Sequence, residues 1–218
     1  MKKMIFLALG VMTVAMSFAQ SDKYVKAMEV RVAALDTTRN TETLKELGNA
    51  FERIGDAEKT QWLPYYYAAL AHLNAGYNST GGAMGGMTAT LDPIADRAEQ
   101  LIQKAEALSK DNSEIYVIRK MIASLRLMAD PMARYQQYGP QAQQALETAR
   151  KLNPENPRVY LLEGQDKYFT SEQFGGSKAE AKVLLQAALK KYEVFKPAGS
   201  LEPTWGKRTT EYFLSQIK

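Results

Sequence analysis

Apolar residues along this chain recur at spacings of three and four, and the strict alternation of a half-buried strand is nearly absent. Within Ser113–Ala129, the residues Ile118, Met121, Ile122, Leu125 and Met128 fall on one helical stripe. Val25, Met28, Val32 and Leu35 do the same between Tyr24 and Leu35. No Asn-Gly or Asp-Gly hairpin turn interrupts these runs. Proline instead punctuates them: Asp92-Pro93, Gly139-Pro140 and Asn156-Pro157 each read as a cap followed by the first residue of a helix. The pattern predicts about nine helices, near 22–36, 40–54, 61–76, 92–109, 113–129, 140–152, 157–170, 178–194 and 204–217.

Several of these helices share a spacing. Ala142, Leu146, Ala149 and Pro154 read A-x3-L-x2-A-x4-P, with Tyr160 and Gly164 following. Ala98, Ile102 and Ala105 repeat the spacing ahead of KDNSEIY; Ala181, Leu185 and Ala188 repeat it again; Thr43, Leu47 and Ala50 match loosely. Small residues at such positions let two helices approach closely, and the proline stops one helix and aims the chain at the next. This pattern resembles the tetratricopeptide (TPR) repeat, with Glu163 and Lys167 standing where the family has Leu and Tyr. The stretches WLPYYYA, FGGSKAEA and EPTWG extend the resemblance to small exported TPR proteins of Gram-negative bacteria. The resemblance implies an all-α solenoid over residues 20–218, with about four TPR-like antiparallel helix pairs and a C-terminal capping helix. The intervals exceed the 34-residue TPR period, and the excess falls on Asn78–Leu91, Ala129–Gly139 and Ser171–Ser177, expected as loops.

The first nineteen residues change the picture of where the chain works. Lys2 and Lys3 precede the apolar run Met4–Met16, and Ser17-Phe18-Ala19 offers small residues for cleavage before Gln20. That is the layout of a secretory signal peptide over 1–19, and it implies a periplasmic or secreted protein. Residues 1–19 carry two lysines and no acid, which leaves 26 bases against 24 acids. A balance that even gives no electrostatic case for nucleic acid. There is no Cys and one His, which removes disulfides, thiolate chemistry and most acid–base or zinc arrangements.

Candidate chemistry is correspondingly sparse. In WLPYYYAAL, Trp62, Tyr65 and Tyr66 share a stripe with Ala69 and Leu70, while Tyr67 lies off its axis. The stripe reads as an aromatic wedge between helix pairs, and Tyr67 as a residue open to a groove. The Gly/Met-rich segment Asn78–Leu91 lacks a phosphate-binding signature and reads as an insertion or a lid. Asp92, Asp96 and Glu99 share a face but sit in a predicted first turn, where acids favour the positive helix end. No metal or cofactor is expected. Groove positions implied by the TPR resemblance are Arg158, Leu161, Gln165 and Tyr168 in one repeat and Glu114, Val117 and Met121 in the one before, with Tyr67 added. The expected function is non-catalytic binding of a protein or peptide segment in that groove. The alternative is a small-ligand or metal binder that uses residues 78–91 as its lid.

Overall fold

The computed structural model describes residues 22–217, and every regular element among them is helical. The predicted signal peptide, 1–19, lies outside the described residues. In chain order the helices are α1 (22–37), α2 (Thr41–Glu58), α3 (Leu63–Ser79), α4 (Thr88–Leu108), α5 (Ser113–Ala129), α6 (Pro131–Leu152), α7 (Pro157–Phe169), α8 (Lys178–Val194) and α9 (Lys207–Gln216), with a short 3-10 turn at Glu172–Phe174. The starts follow local chemistry. Asn40, Asn112, Asn156 and Ser177 each accept a backbone N–H from the first turn that follows them.

Two starts differ from the expected ones. Helix α6 opens at Pro131, where the Asp130 side chain accepts from the Ala133 N–H, rather than at Pro140. Helix α4 opens at Thr88 rather than Asp92. Pro93 and Pro140 therefore lie inside helices. Each removes one backbone donor, and the buried alanine and leucine positions that follow it hold the helix together across the gap. The segment expected as a long insertion shrinks accordingly to residues 80–87. It is tied to the end of α5 by Gly85 N–H to Met128 O at 2.9 Å and Met87 N–H to Ala129 O at 3.1 Å. It is part of the α3–α4–α5 joint, not a free lid.

Packing runs mainly between sequence neighbours: α2 on α3, α3 on α4, α4 on α5, α5 on α6, α7 on α8 and α8 on α9, while α3 also reaches α5. Short connections make such neighbours antiparallel. Helix α3 is the hub. Thirteen of its 17 residues are buried, so it is covered on every side rather than along one stripe. Close approach between helices depends on small residues. Ala98, Ala105, Ala149, Ala181 and Ala188 are fully buried, and a Cβ built on Gly164 would lie 2.8 Å from Leu185 Cγ. At the α5–α6 joint the Ser113 hydroxyl donates to Ala149 O at 2.8 Å. Ala149→Leu should therefore cost about 1–3 kcal/mol through overpacking, read as a lowered urea midpoint. An unchanged midpoint would refute the contact.

The face shared by α3, α5 and α7 is not an open groove. The irregular segment 195–206, between α8 and α9, lies in it. Tyr67 donates from its hydroxyl to Leu201 O at 2.8 Å, and the Trp205 indole N–H donates to the Tyr66 hydroxyl at 2.8 Å. Arg158 and the Tyr192 hydroxyl both donate to Trp205 O, at 3.4 and 3.0 Å. The Arg158 guanidinium lies 5.0 Å from the Phe195 ring centroid and 5.7 Å from that of Trp205. The chain fills its own groove.

Candidate functional site

That filling corrects most of the expected groove residues. Tyr67, Val117, Leu161 and Arg158 are at most 1% exposed, and Met121 and Glu114 are buried as well. Tyr67 stacks on Phe51 with centroids 5.4 Å apart and meets Tyr66 edge-on at 5.2 Å. It belongs to the interior, not to a groove wall. Of the eight residues only Gln165 and Tyr168 keep part of their surface open.

Arg158 and Glu114 form the centre of a buried polar cluster. The guanidinium Nε donates to both carboxylate oxygens at 2.9 Å, and a second nitrogen lies 2.7 Å from Oε1. Tyr66 and Asn156 complete the carboxylate, at 2.8 and 2.6 Å. Burial alone would lower the Arg158 pKa, but the Glu114 charge more than reverses it and fixes the guanidinium as a cation. Burial pushes the Tyr66 and Tyr67 hydroxyls up, so both are neutral donors. The Glu114 carboxylate is thus enclosed by donors and has no open side for a substrate. The cluster is an anchor for segment 195–206.

The acids of α4 are also committed. Asp92 binds Arg134 at 2.6 Å, Asp96 binds Arg126 at 2.7 Å and Glu99 binds Arg119 at 2.7 Å. Among the described residues no group of three or more His, Asp or Glu is placed to hold a metal ion. His72 is buried against Gly48, and its Nε2 has no hydrogen-bond partner. Burial, then the Arg97 charge, hold its imidazole neutral below the ordinary range. The unfolded chain takes up that proton near pH 6.5, whereas the folded chain resists it. The His72 contribution to stability is therefore complete above about pH 6.5 and lost as pH falls below it. Wild type should lose more stability between pH 7.5 and 5.5 than His72→Gln does, by urea titration. Equal losses would show that His72 does not titrate on unfolding.

Three surface features remain open. A cleft of about 220 Å³ between α4 and α6 is floored by α5, with Tyr116, Arg119, Ala123, Arg126, Gln144 and Thr148 on its walls. It is smaller than the usual small-molecule pocket of about 300–1,000 Å³, and both its arginines are bound to acids. The exposed Met84 and Met132 adjoin Gly85 and Pro131 at the α5–α6 corner, with exposed Tyr135 one turn along α6. The third is an aromatic face where α7 ends and α9 crosses it. Tyr168, Phe169 and Phe213 form a mutually edge-on triangle with centroids 5.1, 5.1 and 5.4 Å apart, and Tyr212 extends it at 5.4 Å from Phe213. Phe169 is 66% exposed and Tyr212 59%, and Phe174 on the next turn is exposed too. Exposed rings gathered around one buried ring, as Phe169 and Tyr212 are around Phe213, mark interaction surfaces.

Cations rim this face. The Lys178 ammonium lies 3.0 Å over the Tyr168 ring centroid and donates to Tyr168 O at 2.7 Å. Lys178 is exposed. Lys207 and Arg208 are exposed in the first turn of α9, and Arg208 shares a helical face with Tyr212. Glu172 and Glu211 are the nearby unpaired acids by sequence, while Glu180 is held by Lys167 at 2.6 Å. Of these residues the sequence had singled out only Tyr168. Phe169, Phe174 and Tyr212 are scattered one by one, and only the crossing of α7 by α9 joins them.

No family model matches the chain, and no curated protein matches it. Solved structures do match. One is the HusA haemophore from Porphyromonas gingivalis, at 31% identity and a TM-score of 0.78, with the match covering 89% of this chain and 92% of that one. This likeness shows a family with an all-helical fold. The chain belongs to it, as a relative of HusA.

Proposed function

We propose that this protein is a non-catalytic binder of haem or a closely related porphyrin, working outside the cytoplasm. The observation that carries the reading is the 31% identity over nine-tenths of both chains to a protein described as a haemophore. Two features of the chain agree with it. The helical face on which a peptide scaffold would depend is filled by residues 195–206. The aromatic face offers exposed ring surface with cations near it, which suits an apolar macrocycle with carboxylate arms. No helix among the described residues is long and apolar enough to cross a membrane. The exported location rests on the relation to HusA and on the leader-like residues 1–19.

The donor set limits how such a ligand would be held. The single His72 is buried inside the α2–α3 joint and does not reach the surface. A porphyrin on this chain is therefore held by stacking and by its carboxylates, with no imidazole on the metal. The bound group would bring its own redox and light-absorbing chemistry; the chain supplies apolar contact and charge. Titration of the purified protein, lacking residues 1–19, with haemin should give a saturable change in the absorbance spectrum and a raised melting temperature. His72→Gln should bind with the same affinity. Absence of a saturable change, or capture of a peptide with no response to haemin, would refute the reading.

A further inference from the structure

We infer that the porphyrin's seat is the aromatic face built by Tyr168, Phe169, Tyr212 and Phe213, with Lys178 and Arg208 receiving its carboxylates. This assignment rests on the haem-binding reading above and adds to it a place and a set of residues. The argument begins with exposure. Phe169 and Tyr212 leave well over half of their surface in water, although each is in ring contact with the buried Phe213. Phe213 anchors them from beneath, through the small core it shares with Leu161, Leu185, Ala188 and Tyr192. The outer rings are thus fixed from below and unpartnered above. An apolar ligand that covers these exposed rings displaces no packed group, which keeps the ordering penalty of binding low.

Charge then selects among apolar ligands. Lys178 sits over Tyr168, and Arg208 and Lys207 open α9 one turn before Tyr212. Against them stand Glu172 and Glu211, so the rim is cationic by one charge. A neutral apolar chain would gain nothing from that rim, whereas a macrocycle with carboxylates at one edge can set them against these cations. The other open surfaces fit less well. The cleft over α5 is too small and its arginines are paired. The Met84–Met132 corner offers thioethers and one exposed tyrosine but no ring cluster.

The test compares three variants with wild type, by haemin titration and by circular dichroism. Phe169→Ser with Tyr212→Ser should weaken haemin at least about tenfold. Because both residues are exposed, helicity and melting temperature should stay at the wild-type values. Lys178→Gln with Arg208→Gln should weaken haemin at low salt and flatten the salt dependence. Met132→Ser with Tyr135→Ser, at the opposite corner, should leave affinity unchanged. If wild type binds haemin and the Phe169/Tyr212 variant binds it equally well, the seat is elsewhere and only this assignment falls. Loss of binding in the Met132/Tyr135 variant alone would move the seat to that corner. If wild type is a dimer that the Phe169/Tyr212 change makes monomeric at unaltered haemin affinity, the face belongs to a second copy. If wild type does not bind haemin, the functional reading falls and the assignment with it.

Discussion

Arg158→Ala should destabilise the protein by about 3–5 kcal/mol, among the largest effects of any single change outside the apolar core. The reason is what remains behind. Glu114 stays buried next to Tyr66 and Asn156 but loses its only cationic partner in the cluster. Removing the guanidinium also takes one of the two donors from Trp205 O and the cation from the Phe195 and Trp205 rings, so segment 195–206 loosens. Urea unfolding followed by circular dichroism should show a much lower midpoint. Tryptophan fluorescence should shift even without denaturant, since Trp205 is half-buried beside the pair. The double change Glu114→Leu with Arg158→Met should recover at least half of the loss, because no lone charge is then left inside. A single variant with the wild-type midpoint, or a double variant worse than the single, would refute this account.

Tyr66→Ala and Tyr67→Ala should each cost about 3–5 kcal/mol, and by similar amounts. Both rings are at most 1% exposed, they meet each other edge-on, and Tyr67 also stacks on Phe51. The phenylalanine variants separate the rings from their hydroxyls. Tyr66→Phe removes a donor to Glu114 and the acceptor of the Trp205 indole, whereas Tyr67→Phe leaves one carbonyl, Leu201 O, without its partner. Tyr66→Phe should therefore cost more than Tyr67→Phe, within about 1–3 kcal/mol. A Tyr67→Ala loss far below that of Tyr66→Ala would restore the helical-wheel reading in which Tyr67 faces outward.

That reading failed for a physical reason. A helical wheel ranks faces by the partners expected for one helix with a solvent side. Helix α3 has no solvent side: α2, α4, α5 and the distant segment 195–206 cover it from all directions. The all-helical fold and most boundaries were legible, because caps such as Asn112 and Asn156 and the alanine spacing act over a few residues. The α6 start was missed because Gly139-Pro140 is a stronger local stop than Asp130-Pro131, and only burial of Ala142, Leu146 and Ala149 carries the helix through. The groove positions presuppose an empty face. Nothing local in FKPAGSLEPTWG says that it folds back on helices more than a hundred residues earlier. The aromatic face was hidden likewise, since Phe169 and Phe213 meet only after α9 docks.

The return of segment 195–206 also sets an order of events for the folding chain. Its hydrogen bonds to Tyr67 and Tyr66 span 134 and 139 residues, in a protein whose other packing lies mainly between neighbours. Local helix pairs can form early and fast, but these closures carry a long loop entropy and come late. During synthesis α3 must wait, with Tyr66 and Tyr67 unsealed, until residues almost at the other end have been made. A nascent chain that stops before residue 195 should remain a loosely packed helical intermediate, open to chaperones and proteases. The final twelve-residue strap is then the step that turns a string of helix pairs into one cooperative unit.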